Sequence, residues 1–177
     1  MSSSNRRWLF LLLVVAVILF LDQTAKYLVI ANLQLGESYQ LIPALYPFFE
    51  ITRSENTGAA FGFIPQAGNL FLIIALVVAA VILYLYPRVP DKARLTRLAM
   101  GLVVGGALGN ALDRVLHGAV IDFIHYELPG IVSNVSNLAD HAIVIGVIII
   151  VIQSWRADSE KAAAEVPEEE PSEPHHS

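Results

Sequence analysis

Four apolar runs, at residues 8–30, 69–86, 95–112 and 138–155, constrain this chain more than any other feature of its sequence. Each is close to the roughly 20 residues that a helix needs to cross the hydrocarbon of a bilayer. Inside lipid only a helix or a closed barrel satisfies its own backbone, and runs of this length suit the helix. At 55% hydrophobic residues the chain is also too apolar for an ordinary soluble domain. The expected fold class is therefore an all-α polytopic membrane protein, four transmembrane helices with a small extracytoplasmic β-containing loop region. Arg6 and Arg7 ahead of the first run have the look of a cleaved leader, but the run continues into Asp22 and Lys26 with no small-x-small cleavage site. The chain has no Cys, which excludes a disulfide framework and a thiolate metal site.

The basic residues orient the spans. Arg6 and Arg7 precede the first, Arg88, Lys92, Arg94 and Arg97 lie between the second and third, and Arg156 and Lys161 follow the fourth. Cytoplasmic loops carry the excess of Lys and Arg, so these segments and both termini are expected inside. The loops over 31–68 and 113–137 are poor in basic residues and are expected outside. Residues 39–52 mix aromatic and β-branched side chains with Pro43 and Pro47, which suggests a small β-structure on the membrane surface. The third run holds Gly101, Gly105, Gly106 and Gly109, a pattern suited to close helix contact.

Depth gives the polar residues a common level. At about 1.5 Å per residue Asp22 lies roughly 20 Å beyond Trp8, and Asp113 roughly 27 Å beyond Leu95, both near the outer face. Asp140 opens a helix that runs inward from that face, and Asp122 lies in the outer loop between them. Each could be an ordinary polar helix end, and Asp140 a helix cap. Available partners sort them. Asp22 and Lys26, at i and i+4, suit a structural ion pair in which Lys26 snorkels toward the outer surface. Asp113 has only Arg114 beside it, on a different helix face. Asp122 and Asp140 have no Lys or Arg at helical spacing, and two carboxyls forced together at an apolar boundary share a proton and can act as base and acid.

Five motifs, in order, carry a family resemblance: DQTAK at 22–26, NTGAAFG at 56–62, GNALDR at 109–114, VIDF at 120–123 and NLAD at 137–140. Together the chain from about residue 8 to 155 resembles lipoprotein signal peptidase, also called signal peptidase II. The resemblance implies a membrane aspartic endopeptidase that removes the signal peptide from diacylglyceryl-modified bacterial prolipoproteins, cutting just before the lipidated Cys. It implies Asp122 and Asp140 as the catalytic pair. Around the substrate it implies Asn56, Gly58, Asn110, Arg114 and Asn137, and for holding the helices Asp22, Lys26 and Asp113. Small residues in NTGAAFGF would let a substrate backbone approach closely. Expected partners are the prolipoprotein and membrane lipid, without nucleic acid, metal or cofactor, acting as a monomer. The expected setting is the bacterial cytoplasmic (inner) membrane, with the active site at the extracytoplasmic face. Ser136 stands where the family usually has Phe, and His141 where a small residue is usual, so the pocket lining and the segment 126–136 are expected to differ locally. His125 and His141 read as local polar or packing residues rather than catalysts.

Two other classes are weighed on the residues. A coupled transporter would need polar groups at mid-membrane and on the inner side, and the inner halves of these spans are almost wholly apolar. A metal hydrolase could draw on Asp122, His125, Asp140 and His141, but the chain has no HExxH helix. Residues 1–156 are read as the peptidase domain and 157–177, with Glu168, Glu169 and Glu170, as an acidic disordered cytoplasmic tail. The charge distribution predicts that Cys placed at Ser38 or Ser133 labels from outside intact cells. Cys at Ser3 or Ser159 is expected to label only after permeabilisation; the reverse pattern would invert the topology.

Overall fold

The computed structural model describes residues 3–58 and 67–164. Helix α1 spans Ser3–Asn32, α2 Ala67–Leu85, α3 Arg94–His117 and α4 Leu138–Ala164. All four are long and apolar enough to cross a membrane. Each runs a little beyond its apolar core at one end or both, because helical hydrogen bonding continues into the polar flanks until the backbone finds other partners. At the far end α4 extends through Ala164, past the expected domain boundary, and residues 165–177 with most of the acidic tail lie outside the described residues.

Helix α3 is the centre of the bundle and touches the other three. Of its apolar stretch 67% is buried, against 11–17% for the others, whose outward faces carry exposed Leu12, Phe20, Ile73, Val77 and Ile148. Those faces meet lipid, and in lipid helices associate through close packing rather than through a hydrophobic drive. Small residues on α3 make that packing possible. A Cβ at Gly106 would overlap the carbonyl oxygen of Ala139 and the side chain of Ile143 on α4. The contact matters because Ala139 immediately precedes Asp140.

At one end of the bundle lies an antiparallel sheet in the order β1-β2-β3-β4, formed by Ser38–Tyr39, Phe49–Asn56, Val120–Leu128 and Val132–Ser136. Residues 38–56 of the first loop thus contain ordered β-structure, as their composition suggested. The segment between α3 and α4 differs from the expectation of a loop. Helix α3 carries through to His117, and the chain then forms the β3–β4 hairpin, in which Ile124 faces Ser136 and Leu128 faces Val132. Asp122 consequently sits in a central strand, opposite Ser54. The run Val120, Ile121, Phe123 and Ile124 around Asp122 is almost continuously apolar because this half of the strand is covered on both faces, Phe123 and Ile124 packing with Val29.

If the Gly106 contact sets the distance between α3 and α4, Gly106→Ala should lower the thermal stability of the detergent-solubilised protein by about 1–3 kcal/mol, as overpacking does. Unchanged unfolding would show that the two helices can part without cost.

Candidate active site

The four carboxylates that depth placed at one level do converge, and a buried ammonium joins two of them. Lys26 Nζ lies 2.7 Å from Asp22 Oδ2 and 2.7 Å from Asp113 Oδ2, with all three side chains at 2% exposure or less. Lys26 therefore does not snorkel to the surface as its place near the end of α1 suggested. Two carboxylates from two helices satisfy it more completely than headgroup water would. Its third contact is Asn110 Oδ1, at 3.1 Å. Gln23, one residue after Asp22, donates to Asp113 Oδ1 at 2.8 Å and to Asp22 Oδ2 at 3.2 Å.

The carboxylates of this cluster also reach backbone amides at two particular positions. Asp113 Oδ2 accepts from Ile121 N at 3.1 Å, and Asp22 Oδ1 accepts from Ala139 N at 3.0 Å. Ile121 is the residue before Asp122, and Ala139 the residue before Asp140. Each structural carboxylate thus grips the chain beside one of the expected catalytic ones.

Asp122 is buried, at 3% exposure, and both its oxygens accept from amides: Asn137 Nδ2 at 2.6 Å and Asn56 Nδ2 at 3.1 Å. Neither amide is free to turn. Asn137 Oδ1 accepts from Asp140 N at 2.9 Å, capping α4 in the manner expected of a residue just before a helix, and Asn56 Oδ1 accepts from Gly58 N at 2.9 Å. Gly58 closes that small turn with φ at 79°, a conformation that a side chain would strain. Burial pushes the Asp122 carboxyl up from 3.8 to about 6; Asp140's charge adds to this, while the donor bonds from Asn137 and Asn56 and the charge on Lys26 oppose it. Asp140, in the first turn of α4 and partly exposed, accepts from Asn110 Nδ2 at 2.7 Å.

Of the expected site residues, Asp122, Asp140, Asn56, Gly58, Asn110 and Asn137 form one connected array, and Asp22, Lys26 and Asp113 lie directly behind it. Arg114 lies at its margin. Its Nη1 donates to Asn110 O at 3.2 Å, its guanidinium stands 5.6 Å from the Phe71 ring centroid, and Asp140, Asp113 and Asp122 are within its electrostatic reach. Gln23 was not anticipated; the one signal for it is its position inside DQTAK. Ser136, where the family usually has Phe, is buried against Ile124 O at 3.5 Å, so a polar side chain is accommodated by the strand backbone. His141 accepts this local polarity too, with Nδ1 at 2.7 Å from Asn137 O and Nε2 at 3.3 Å from the Tyr126 hydroxyl. The NTGAAFGF segment beyond Gly58 lies outside the described residues. Among the described residues no group of three or more His, Cys, Asp or Glu side chains is arranged to hold a metal ion.

Comparison with known proteins gives a consistent picture. Residues 14–156 match the family model described as signal peptidase (SPase) II. The chain is similar to the lipoprotein signal peptidase of Photorhabdus laumondii, at 38% identity over 90% of this chain and 93% of that protein. It is similar also to that of Bacillus pumilus, at 37% identity over 82% and 92% respectively. A solved structure described as a bacterial membrane enzyme superposes with a TM-score of 0.74 at 33% identity, covering 81% of this chain and 91% of that one.

The geometry gives Lys26 a measurable weight. Lys26→Met would leave Asp22 and Asp113 facing each other in a buried site, and breaking a buried pair in this way costs about 3–5 kcal/mol. Thermal unfolding in detergent should show a large drop, with loss of peptidase turnover in whatever folds. Full stability in this variant would mean that the carboxylates are held by Gln23 and the backbone amides alone.

Proposed function

This chain belongs to the signal peptidase II family, and we propose that Asp122 and Asp140 are the paired carboxyls with which it hydrolyses its substrate. It is a bacterial membrane protein and a lipoprotein signal peptidase. The observation that carries the proposed site is the pair itself: one carboxyl from β3 and one from α4, electrostatically coupled, each held by asparagine amides whose own orientation is fixed.

The pair works with one proton between two carboxyls. The ionised carboxyl takes a proton from a water molecule, whose oxygen bonds to the scissile carbonyl carbon as the protonated carboxyl gives its proton to the carbonyl oxygen. Collapse of the tetrahedral species breaks the C–N bond, the amine leaves with a proton from the first carboxyl, and the carbonyl oxygen returns its proton to the second. The protons balance, and no covalent enzyme intermediate is needed. A carboxyl titrating at about 6 supports a shared proton close to neutrality.

The substrate proposed is a prolipoprotein carrying a diacylglyceryl group on the Cys that follows the scissile bond. A cavity of about 230 Å³ between α2, α3 and α4, lined by Phe71, Ile74, Val78 and Val103, ends at Asn110 and Arg114, and suits an acyl chain entering from lipid beside the dyad. The dyad end of the bundle is proposed to face the extracytoplasmic side, with both termini cytoplasmic, and the unit is proposed to act as a monomer.

Asp122→Asn and Asp140→Asn should each abolish conversion of a diacylated precursor, and the double variant should be hardly worse, since groups acting as one unit are not additive. Stability gives a second readout with a definite sign. The folded carboxyl of Asp122 titrates at about 6, above its ordinary 3.8, so ionising it destabilises the parent as pH rises through that interval. Asp122→Asn lacks that loss, and its stability relative to the parent should increase between about pH 4 and about pH 7. Substantial cleavage by well-folded Asp140→Asn would remove that residue from the chemistry and leave it a first-turn helix residue.

A further inference from the structure

The opposite end of the bundle holds a second concentration of charge that the peptidase reaction does not use. A cavity of about 490 Å³ is lined by Arg6, Arg7, Phe10, Asp91, Arg94 and Arg97, so that four guanidinium groups face one carboxylate. Asp91 is claimed already: Arg97 Nη2 lies 2.8 Å from Oδ1, and Arg7 pairs with Oδ2. Bonds from Arg97 and Arg7 hold the Asp91 carboxyl below its usual range, so it stays ionised with one arginine on each of its oxygens. Among the described residues neither the Arg6 nor the Arg94 side chain has a hydrogen-bond or ion-pair partner.

Two further features suit this cavity to an anion. The Arg97 side chain is 8% exposed, and its Nε, like that of Arg7, is buried and donates to nothing among the described residues. The first turns of α1 and α3 contain no acidic residue, and Ala93 offers no side-chain cap to the 24-residue α3, which leaves its amide end unneutralised beside Arg94.

We propose that this cavity binds the phosphodiester headgroup of an anionic phospholipid. A lipid is favoured over a free anion by what lies next to the cavity. Phe10 forms its wall, and Leu9, Leu12 and Leu13 continue from it as an exposed apolar strip along α1, where acyl chains would lie. Basic pockets between transmembrane helices recognise lipid headgroups through the same combination of charge and adjacent hydrocarbon. The site is separate from the dyad, at the other end of the helices, and its occupancy does not depend on which peptide is cleaved.

The full chain, purified in non-ionic detergent, tests this with phosphatidylglycerol, phosphatidylcholine and inorganic phosphate as probes, read by native mass spectrometry and by thermal unfolding. Phosphatidylglycerol should remain bound and raise the unfolding temperature, and phosphatidylcholine should do neither. Arg6→Ala/Arg94→Ala, which leaves the Arg7–Asp91–Arg97 contacts in place, should weaken phosphatidylglycerol binding by about tenfold or more, the size expected for two arginines beside a headgroup. Arg6→Gln/Arg94→Gln serves if truncation lowers the yield. Equal binding of phosphatidylcholine, unchanged affinity in both double variants, or full reproduction of the stabilisation by inorganic phosphate would each overturn the proposal.

Discussion

The ammonium of Lys26, buried between Asp22 and Asp113, is the interaction on which the rest of the site depends. Withdrawing three charges from water is expensive, and their attraction offsets that cost only where geometry is good and the leftover hydrogen-bonding capacity is used. Here it is used, by Gln23, by Asn110 and by the amides of Ile121 and Ala139. Because those two amides precede Asp122 and Asp140, the cluster fixes the β3 strand and the start of α4 relative to α1 and α3. The proposed catalytic pair, supplied by a strand and a helix far apart in sequence, needs such a tie, since neither element alone determines where the other stands.

The same requirement explains why α3 is built from small residues. Asn110 and Asp113 sit on α3, and they can reach Asp140 and Ile121 only if α4 and the sheet approach the α3 backbone closely. Gly106 permits that approach to Ala139. In lipid, where apolar surface gains nothing by contact with another helix, close van der Waals packing and these polar ties together hold the bundle. The helix with the most glycine is accordingly the one most buried.

Much of this was legible in the sequence because two of its regularities are local. The length of the apolar runs gave the spans, and the i, i+4 spacing of Asp22 and Lys26 gave their contact, which is present at 2.7 Å. Counting residues from the membrane edge brought Asp22, Asp113, Asp122 and Asp140 to one level. What could not be read was partner choice across elements. Lys26 bonds Asp113, 87 positions away, and nothing in the helical period of α1 indicates which residue of α3 will meet it. The β3–β4 hairpin was hidden for a different reason: its first strand is covered on both faces, so the alternation that marks a half-buried strand is missing. Asp122 therefore looked like a loop residue although it lies opposite Ser54 in the sheet.

The choice of asparagine around the proposed dyad fits what a shared proton demands. A Lys or Arg in contact with Asp122 or Asp140 would pin that carboxyl as the ion and prevent it from ever acting as an acid. An amide NH₂ group instead donates to a carboxylate or to the oxygen of a neutral carboxyl with a smaller change in energy. Asn137 and Asn56 on Asp122, and Asn110 on Asp140, orient the pair while leaving its charge free to move. The cation is kept one residue back: Lys26 contacts the oxygen of Asn110 rather than either dyad carboxyl, polarising that amide toward Asp140 without bonding to the acid itself. Full charge thus fixes the scaffold, and neutral dipoles relay it to the two groups proposed to exchange a proton.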